Sequence, residues 1–375
     1  MMKIGIITIQ KSSASYGANL QAYALWKFLV SQGHEVEIID LLRPVQSGYI
    51  HSVNKLAYHT YSYKKRKEHI ASFLSPPFLI RRIKSQKQKV KIRRFYMKAK
   101  YSKPFYSIDS LYSDPPKYDV YLSGSDQIWN PDMPFELAPY FLDFVKDGRK
   151  ISYASSIGKN EIDENTLKQY EIWLKSYSSI GVREQFSVDL LKSVGINAHL
   201  VLDPVFLIDP SCWKKMAKDY KYNGKYLFFF SFTNDEAINK QIGDFANQRG
   251  MGVVSNLKMI NVSCKSAGSL GIEEWLGCIL NSELVITDSF HAVAFSIILQ
   301  KTFYVFNSKS DLLSKRSERQ KNLLRIANLS DRFIDLDELS HIDSLAPIDY
   351  GEVVSEMNGM LDSSKKYLID ALDKQ

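Results

Sequence analysis

Cysteine is scarce: Cys212, Cys264 and Cys278 are the only three, too few and too scattered for a disulfide framework, and no CxxC pair is present to bind zinc. A reducing compartment is therefore expected. Long apolar runs are missing as well. The longest, Tyr226–Phe230 and Ala292–Leu299, fall far short of the ~20 residues that span a bilayer. The apolar start, Met2–Gln10, is too brief for a signal peptide and no small-residue cleavage site follows it, so a cytoplasmic protein is expected. With 18 Gly and 12 Pro the chain is neither collagen-like nor of low complexity. No GxGxxG, HExxH, Walker loop or GxSxG occurs. No DxD pair stands at a strand end to bridge a metal to a nucleotide diphosphate, so no metal is expected. Nucleic-acid-binding motifs are absent too.

What is present is an ordinary globular balance, 45% hydrophobic and 24% charged, over a length of 375 residues that suits two domains. The net charge of +8 is local. Residues 61–103 hold 15 of the 49 Lys/Arg and only one acid, Glu68, so this segment carries +14 and the remainder −6. Phe73, Leu74, Phe78, Leu79, Ile80, Ile83, Phe95 and Tyr96 interleave the cations. That pattern suits an amphipathic helix on an anionic membrane surface, each nearby cation contributing ~1 kcal/mol. A solvated helix face packed on the core, or a nucleic-acid contact, would read the same way.

Hydropathy alternates along the rest. Lys3–Ile9 reads as a strand, Leu20–Gln32 as a helix stopped by Gly33, and Glu35–Asp40 as a strand: a βαβ unit, hence a parallel sheet. After the basic segment the alternation resumes at Tyr118–Leu122 and Lys150–Tyr153, and again from Tyr226 to Phe306. A helix over 351–373 closes the chain. The fold class expected is α/β, with two Rossmann-like domains facing a cleft. The first covers residues 1–205 with the basic insertion at 61–103, the second 206–375, with a hinge near Pro204–Pro210. Ligands of such sheets bind beyond the carboxyl ends of strands, which directs attention to Ser12–Asn19, Ser123–Asn130, Arg183–Glu184 and Asp288–His291.

Each of these has two readings. Ser15-Tyr16-Gly17-Ala18-Asn19 offers free N–H groups to an anion or a sugar hydroxyl, or is a plain turn with Asn19 as N-cap. Gly124-Ser125-Asp126-Gln127-Ile128-Trp129-Asn130 has the composition of a carbohydrate-binding loop, or is a capped turn with Trp129 in the core. His291 stands in the first turn of a helix, where it is an acid or a phosphate ligand, or a bystander behind a capping Asp288 or Ser289. Arg183 and Arg319 are bidentate anion binders or surface salt bridges.

Together these pieces resemble the polysaccharide pyruvyl transferase family. The matching stretches are Tyr16–Leu25, Gly124–Pro131, Tyr153–Gly158, Val182-Arg183-Glu184, Asp203-Pro204, Asp288–His291 and Arg319 followed by Leu323-Leu324, in the family's order. Departures occur at Ser15, Ser289, Ala292 and Thr302, where members often carry Asn, Arg, Gly and Pro. The resemblance implies a glycosyltransferase-B-like pair of domains, acceptor side first and donor side second. It implies phosphoenolpyruvate as co-substrate, with no cofactor, and a cyclic pyruvate ketal formed on a sugar, typically of a lipid-linked oligosaccharide. On that basis His291 and Asp126 are the expected catalytic residues. Arg183, Arg319 and Ser289 are expected to bind the donor. Tyr16, Gly17, Asn19, Gln21, Gln127, Trp129 and Asn130 are expected to bind the acceptor. The basic segment would hold the enzyme on the anionic inner leaflet. Two rivals are a sugar-nucleotide-dependent glycosyltransferase of the same fold and a non-enzymatic basic binding protein.

Overall fold

The computed structural model describes residues 1–11, 15–41, 76–259, 262–267, 269–306, 317–335, 339 and 347–374. The expected basic stretch therefore begins, for structural purposes, at Pro76; residues 61–75 lie outside the described residues.

The first half alternates as its hydropathy dictates. In chain order it holds β1 (Lys3–Ile7), α1 (Tyr16–Ser31), β2 (Glu35–Ile38), α2 (Pro76–Tyr96) and α3 (Ile108–Ser113). Then come β3 (Val120–Ser123), β4 (Arg149–Ser152), α4 (Glu164–Leu174), β5 (Tyr177–Ser179), β6 (Gly181–Val182), α5 (Gln185–Lys192) and β7 (His199–Leu200). The five-stranded sheet runs β2-β1-β3-β4-β5, all neighbours parallel. Helix α1 starts four residues before the expected Leu20. Ser15, not Asn19, is its N-cap, accepting from the Ala18 N–H, so Tyr16, Gly17 and Asn19 belong to its first turn. Gly33, at φ +83°, takes the left-handed position just beyond the helix end.

The second half holds α6 (Pro210–Met216), β8 (Tyr226–Phe230), α7 (Glu236–Gln248), β9 (Gly252–Ser255) and β10 (Cys264–Ser266). It continues through α8 (Ile272–Asn281), β11 (Leu284–Thr287), α9 (Phe290–Ile298), β12 (Phe303–Phe306), α10 (Ser317–Ile326), β13 (Phe333–Ile334) and α11 (Tyr350–Asp373). Its sheet runs β10-β9-β8-β11-β12-β13, again parallel. β8, β11 and β12 are buried at every residue, the mark of strands covered on both faces.

In each sheet the strand order reverses once, between β1 and β3 and between β8 and β11. These are the switch points where adjacent connections leave to opposite faces and open a crevice. The halves meet over a shared apolar core that includes Leu25 of α1, Trp275 of α8, Phe295 of α9 and Leu368 of α11. Residues 204–207 between them form a buried 3-10 turn capped by Asp203. Helix α11 begins on the second half, where the Tyr350 hydroxyl donates to Lys301 O (2.5 Å), and ends on the first, where Tyr367 donates to Ser152 O (3.0 Å).

The basic helix α2 is tied inward. Ile92 and Phe95 are buried, and Lys91 and Lys98 pair with Glu274 (2.7 Å) and Glu273 (3.3 Å) of α8 in the other half. Phe95 thus faces the core. The outward residues Lys87, Lys89, Val90, Arg93, Arg94 and Met97 are exposed.

Candidate active site

The two switch points face each other across a cavity of about 150 Å3. From the first half, Ser15, Tyr16 and Gly17 follow β1, and Asp126 and Gln127 follow β3. Opposite them, Phe230 ends β8 and Phe232 follows it, and Asp288 to His291 follow β11. Trp275, Phe306, Ser317, Arg319 and Gln320 complete the wall.

His291 is held by contacts on both sides. A Cβ built on Gly17 would overlap the His291 ring, so the first half approaches the imidazole only because position 17 has no side chain. The ring's Nε2 is buried and lies 3.6 Å from Asp203 Oδ2. Ser289 caps α9 by accepting from the Ala292 N–H, and its own N–H donates to Thr287 Oγ1 (3.0 Å). Ser289, Phe290 and His291, the cap and first turn of α9, line the cavity, which puts the positive end of the helix dipole at its wall.

Asp203 is the hub beneath the histidine. Its Oδ2 accepts from Arg183 Nη1 (2.6 Å) and Ser125 Oγ (3.1 Å), and its Oδ1 from the Val205 N–H (3.2 Å). Burial would raise this carboxyl, yet His291 and the Arg183 guanidinium outweigh burial and hold it below the usual carboxylate range. Burial would likewise lower Arg183. Glu184, Asp203 and Asp126 more than reverse this and push it above its ordinary value. The Phe290 ring has two cations near it, with its centroid 4.3 Å from the Arg183 guanidinium and 6.0 Å from that of Arg319.

Asp126 adopts φ +74°, a left-handed conformation that costs a residue with a side chain roughly 1–3 kcal/mol. Its carbonyl is pinned by the N–H groups of Ser156 (3.0 Å) and Ile128 (2.7 Å), which leaves the residue on the cavity wall. Beside it the Gln127 amide Nε2 is buried without a hydrogen-bond partner. Gly158, at φ +71°, makes room for that amide, since a Cβ there would overlap it. Asp288 is spent on structure: it accepts from the Phe232 N–H (2.9 Å), Ser231 Oγ (2.8 Å) and Thr233 Oγ1 (2.9 Å), fixing the loop after β8. Among the described residues no group of three or more His, Cys, Asp or Glu is placed to hold a metal ion.

A family model for polysaccharide pyruvyl transferase matches residues 16–310, the span that contains every residue of the cavity wall except Ser15 and the three from α10. The chain belongs to the polysaccharide pyruvyl transferase family. No curated protein matches it. Among solved structures it is similar to the UDP-GlcNAc 2-epimerase of Methanocaldococcus jannaschii, at 10% identity, with 99% of each chain covered and a TM-score of 0.51. It is also similar to another UDP-N-acetylglucosamine 2-epimerase, at 9% identity over 99% of this chain and 95% of that one, TM-score 0.52. At such identities the likeness is one of fold: two Rossmann-like domains facing a cleft, glycosyltransferase-B-like, with a helix closing the chain.

The fold brings seven of the expected site residues to one cavity: Tyr16, Gly17, Asp126, Gln127, Ser289, His291 and Arg319. Five others are elsewhere. Trp129 cannot cover a sugar, because it is wholly buried, stacked on Phe141 at 4.8 Å, with its indole N–H on Tyr140 O. Gln21 is equally buried and braces the β1 loop, its amide donating to Thr8 Oγ1, Ile9 O and Ala18 O. Asn19 donates to Ser15 O, and Asn130 accepts from the Asp132 N–H; both shape turns. Arg183 is no open clamp, since its charge is committed to Asp203 and Glu184 and its side chain is buried. Tyr16 reaches the cavity by its ring, stacked on Trp275 at 5.4 Å, while its hydroxyl donates to Leu270 O and accepts from Gln88 Nε2. Burial pushes that hydroxyl up to about 12.

Sequence reasoning passed over Asp203 as a site residue, although Asp203-Pro204 marks a strand end. It also passed over Phe230, Phe232 and Trp275, which read as ordinary core aromatics. The available signal was the position of Phe230 and Phe232 at the carboxyl end of a strand.

Proposed function

We propose that this transferase takes phosphoenolpyruvate as donor and forms a cyclic pyruvate ketal on a sugar of a polysaccharide precursor. The observation that carries this reading is the meeting of Arg319, His291 and the α9 N-terminus on one side of a cavity whose other side offers Asp126 and Gln127. A guanidinium and a helix N-terminus suit the phosphate and carboxylate of the donor. Asp126 and the unpartnered Gln127 amide suit sugar hydroxyls, and Phe230, Phe232 and Trp275 give the donor or sugar an apolar wall.

In this mechanism His291, protonated, gives its proton to the donor's methylene carbon, which becomes the methyl group. The cationic centre left behind takes one sugar hydroxyl. The C–O bond to phosphate breaks, and the second hydroxyl closes the ring. The two hydroxyl protons balance the sequence: one re-protonates His291 and one leaves on the phosphate. Asp126 orients the acceptor hydroxyls. The exposed cations and apolar side chains of α2 would hold the enzyme near an anionic membrane carrying a lipid-linked acceptor.

The direct test is phosphate release from phosphoenolpyruvate in the presence of acceptor. His291→Ala should abolish it while leaving the circular dichroism spectrum intact. Near-normal turnover would remove His291 from the chemistry.

A further inference from the structure

The two nitrogens of His291 do not have equivalent surroundings. Nε2 is turned inward, buried, with no hydrogen-bond partner, and the acceptor it faces is Asp203 Oδ2 at 3.6 Å. A neutral imidazole carries one N–H and one lone pair. Were the lone pair on Nε2, two acceptors would oppose each other inside the protein with nothing to bridge them, a costly arrangement. With the proton on Nε2, it points at a carboxylate and can close to hydrogen-bond length when a ligand tightens the site.

Asp203 is itself immobilised for this task. Arg183, Ser125 and the Val205 N–H fix both of its oxygens. The chain of contacts extends outward, since Thr8 Oγ1 donates to Ser125 O (2.7 Å) and Gln21 donates to Thr8 Oγ1 (3.0 Å). Gln21, expected at the acceptor site, thus stands behind the histidine. The other ring nitrogen, Nδ1, lies against Gly17, whose missing side chain gives the ring its place on the cavity wall, on the side of the ring away from the Asp203 contact.

We propose that Asp203 is a positioning residue that keeps the proton of neutral His291 on Nε2, so that Nδ1 is the nitrogen that exchanges a proton with the substrate. This rests on the reading of His291 as the acid, and the test separates the two. In protein labelled with 15N at its seven histidines, the His291 signals are those lost in His291→Ala. At a pH where the ring is neutral, the couplings should place the proton on Nε2. A proton on Nδ1 with a bare Nε2 would overturn the assignment, and this measurement needs no variant of Asp203 to fold.

Asp203→Asn supplies the kinetic arm. In folded protein it should lower kcat by about 10-fold or more, as removal of a carboxylate that holds a catalytic imidazole in its tautomer does, with the donor KM nearly unchanged and the His291 tautomers mixed. An unaltered kcat would sink the positioning role. If His291→Ala retains turnover, the proposed chemistry fails while the tautomer result still decides where Asp203 holds the proton.

Discussion

The His291 ring fills the space that a side chain at Gly17 would need, and by that contact a residue of the second sheet's switch point is seated on the first helix of the opposite half. Gly17→Ala should therefore push the ring out of place. Overpacking of this kind costs roughly 1–3 kcal/mol of stability. Turnover should fall at least about tenfold, because reacting groups displaced by an ångström lose their alignment. A folded Gly17→Ala enzyme with full activity would show that the contact does not matter to catalysis.

Arg183 and Arg319 should behave differently. Arg183→Met leaves Asp203 and Glu184 buried without their cation, a loss of about 3–5 kcal/mol read from urea unfolding, with little change in donor KM where the variant still folds. Arg319→Ala should be milder for stability and should raise the donor KM. Equal effects on donor KM from both would restore Arg183 as an anion clamp.

Acid should weaken the fold through Asp203. Its native pKa is depressed, so its contribution is fully present above the unfolded value of ~4 and is lost as pH falls through that value toward the native one. The urea midpoint of the native protein should drop between pH 6 and pH 3 (both about) more steeply than that of Asp203→Asn. Parallel profiles would contradict the assignment.

Trp129→Ala should cost about 3–5 kcal/mol, as expected for emptying a stacked core position. The acceptor KM of the folded fraction should stay the same. A selective rise in acceptor KM without loss of stability would put Trp129 back in the sugar site.

Reversing Arg93 and Arg94 to Glu should abolish co-sedimentation with anionic vesicles and leave turnover of a soluble acceptor unchanged. Binding of the native protein should weaken steeply with salt, since the interaction is screened. Equal binding to neutral vesicles would argue against an electrostatic tether.

The fold was legible because parallel strands covered on both faces leave unmistakable apolar runs, such as Tyr226–Phe230 and Leu284–Thr287. Strand ends then located the cavity, and Tyr16, Asp126 and His291 were found there. Direction within a motif was not legible. Asp126 and Gln127 face the cavity while Trp129, two residues on, turns into the core, because the left-handed backbone at Asp126 and the Ser156 contacts redirect the loop. Arg183 misled for a related reason. Its partner Asp203 is twenty residues away and meets it only once β6 and β7 pair in the folded chain.

The most direct measurement is of the transfer itself. A lipid-linked or soluble oligosaccharide incubated with the enzyme and phosphoenolpyruvate should gain, by mass spectrometry, the mass of pyruvate less water, with one phosphate released per acceptor modified. An acceptor of unchanged mass with phosphoenolpyruvate, extended instead by a sugar when a nucleotide sugar is supplied, would contradict it.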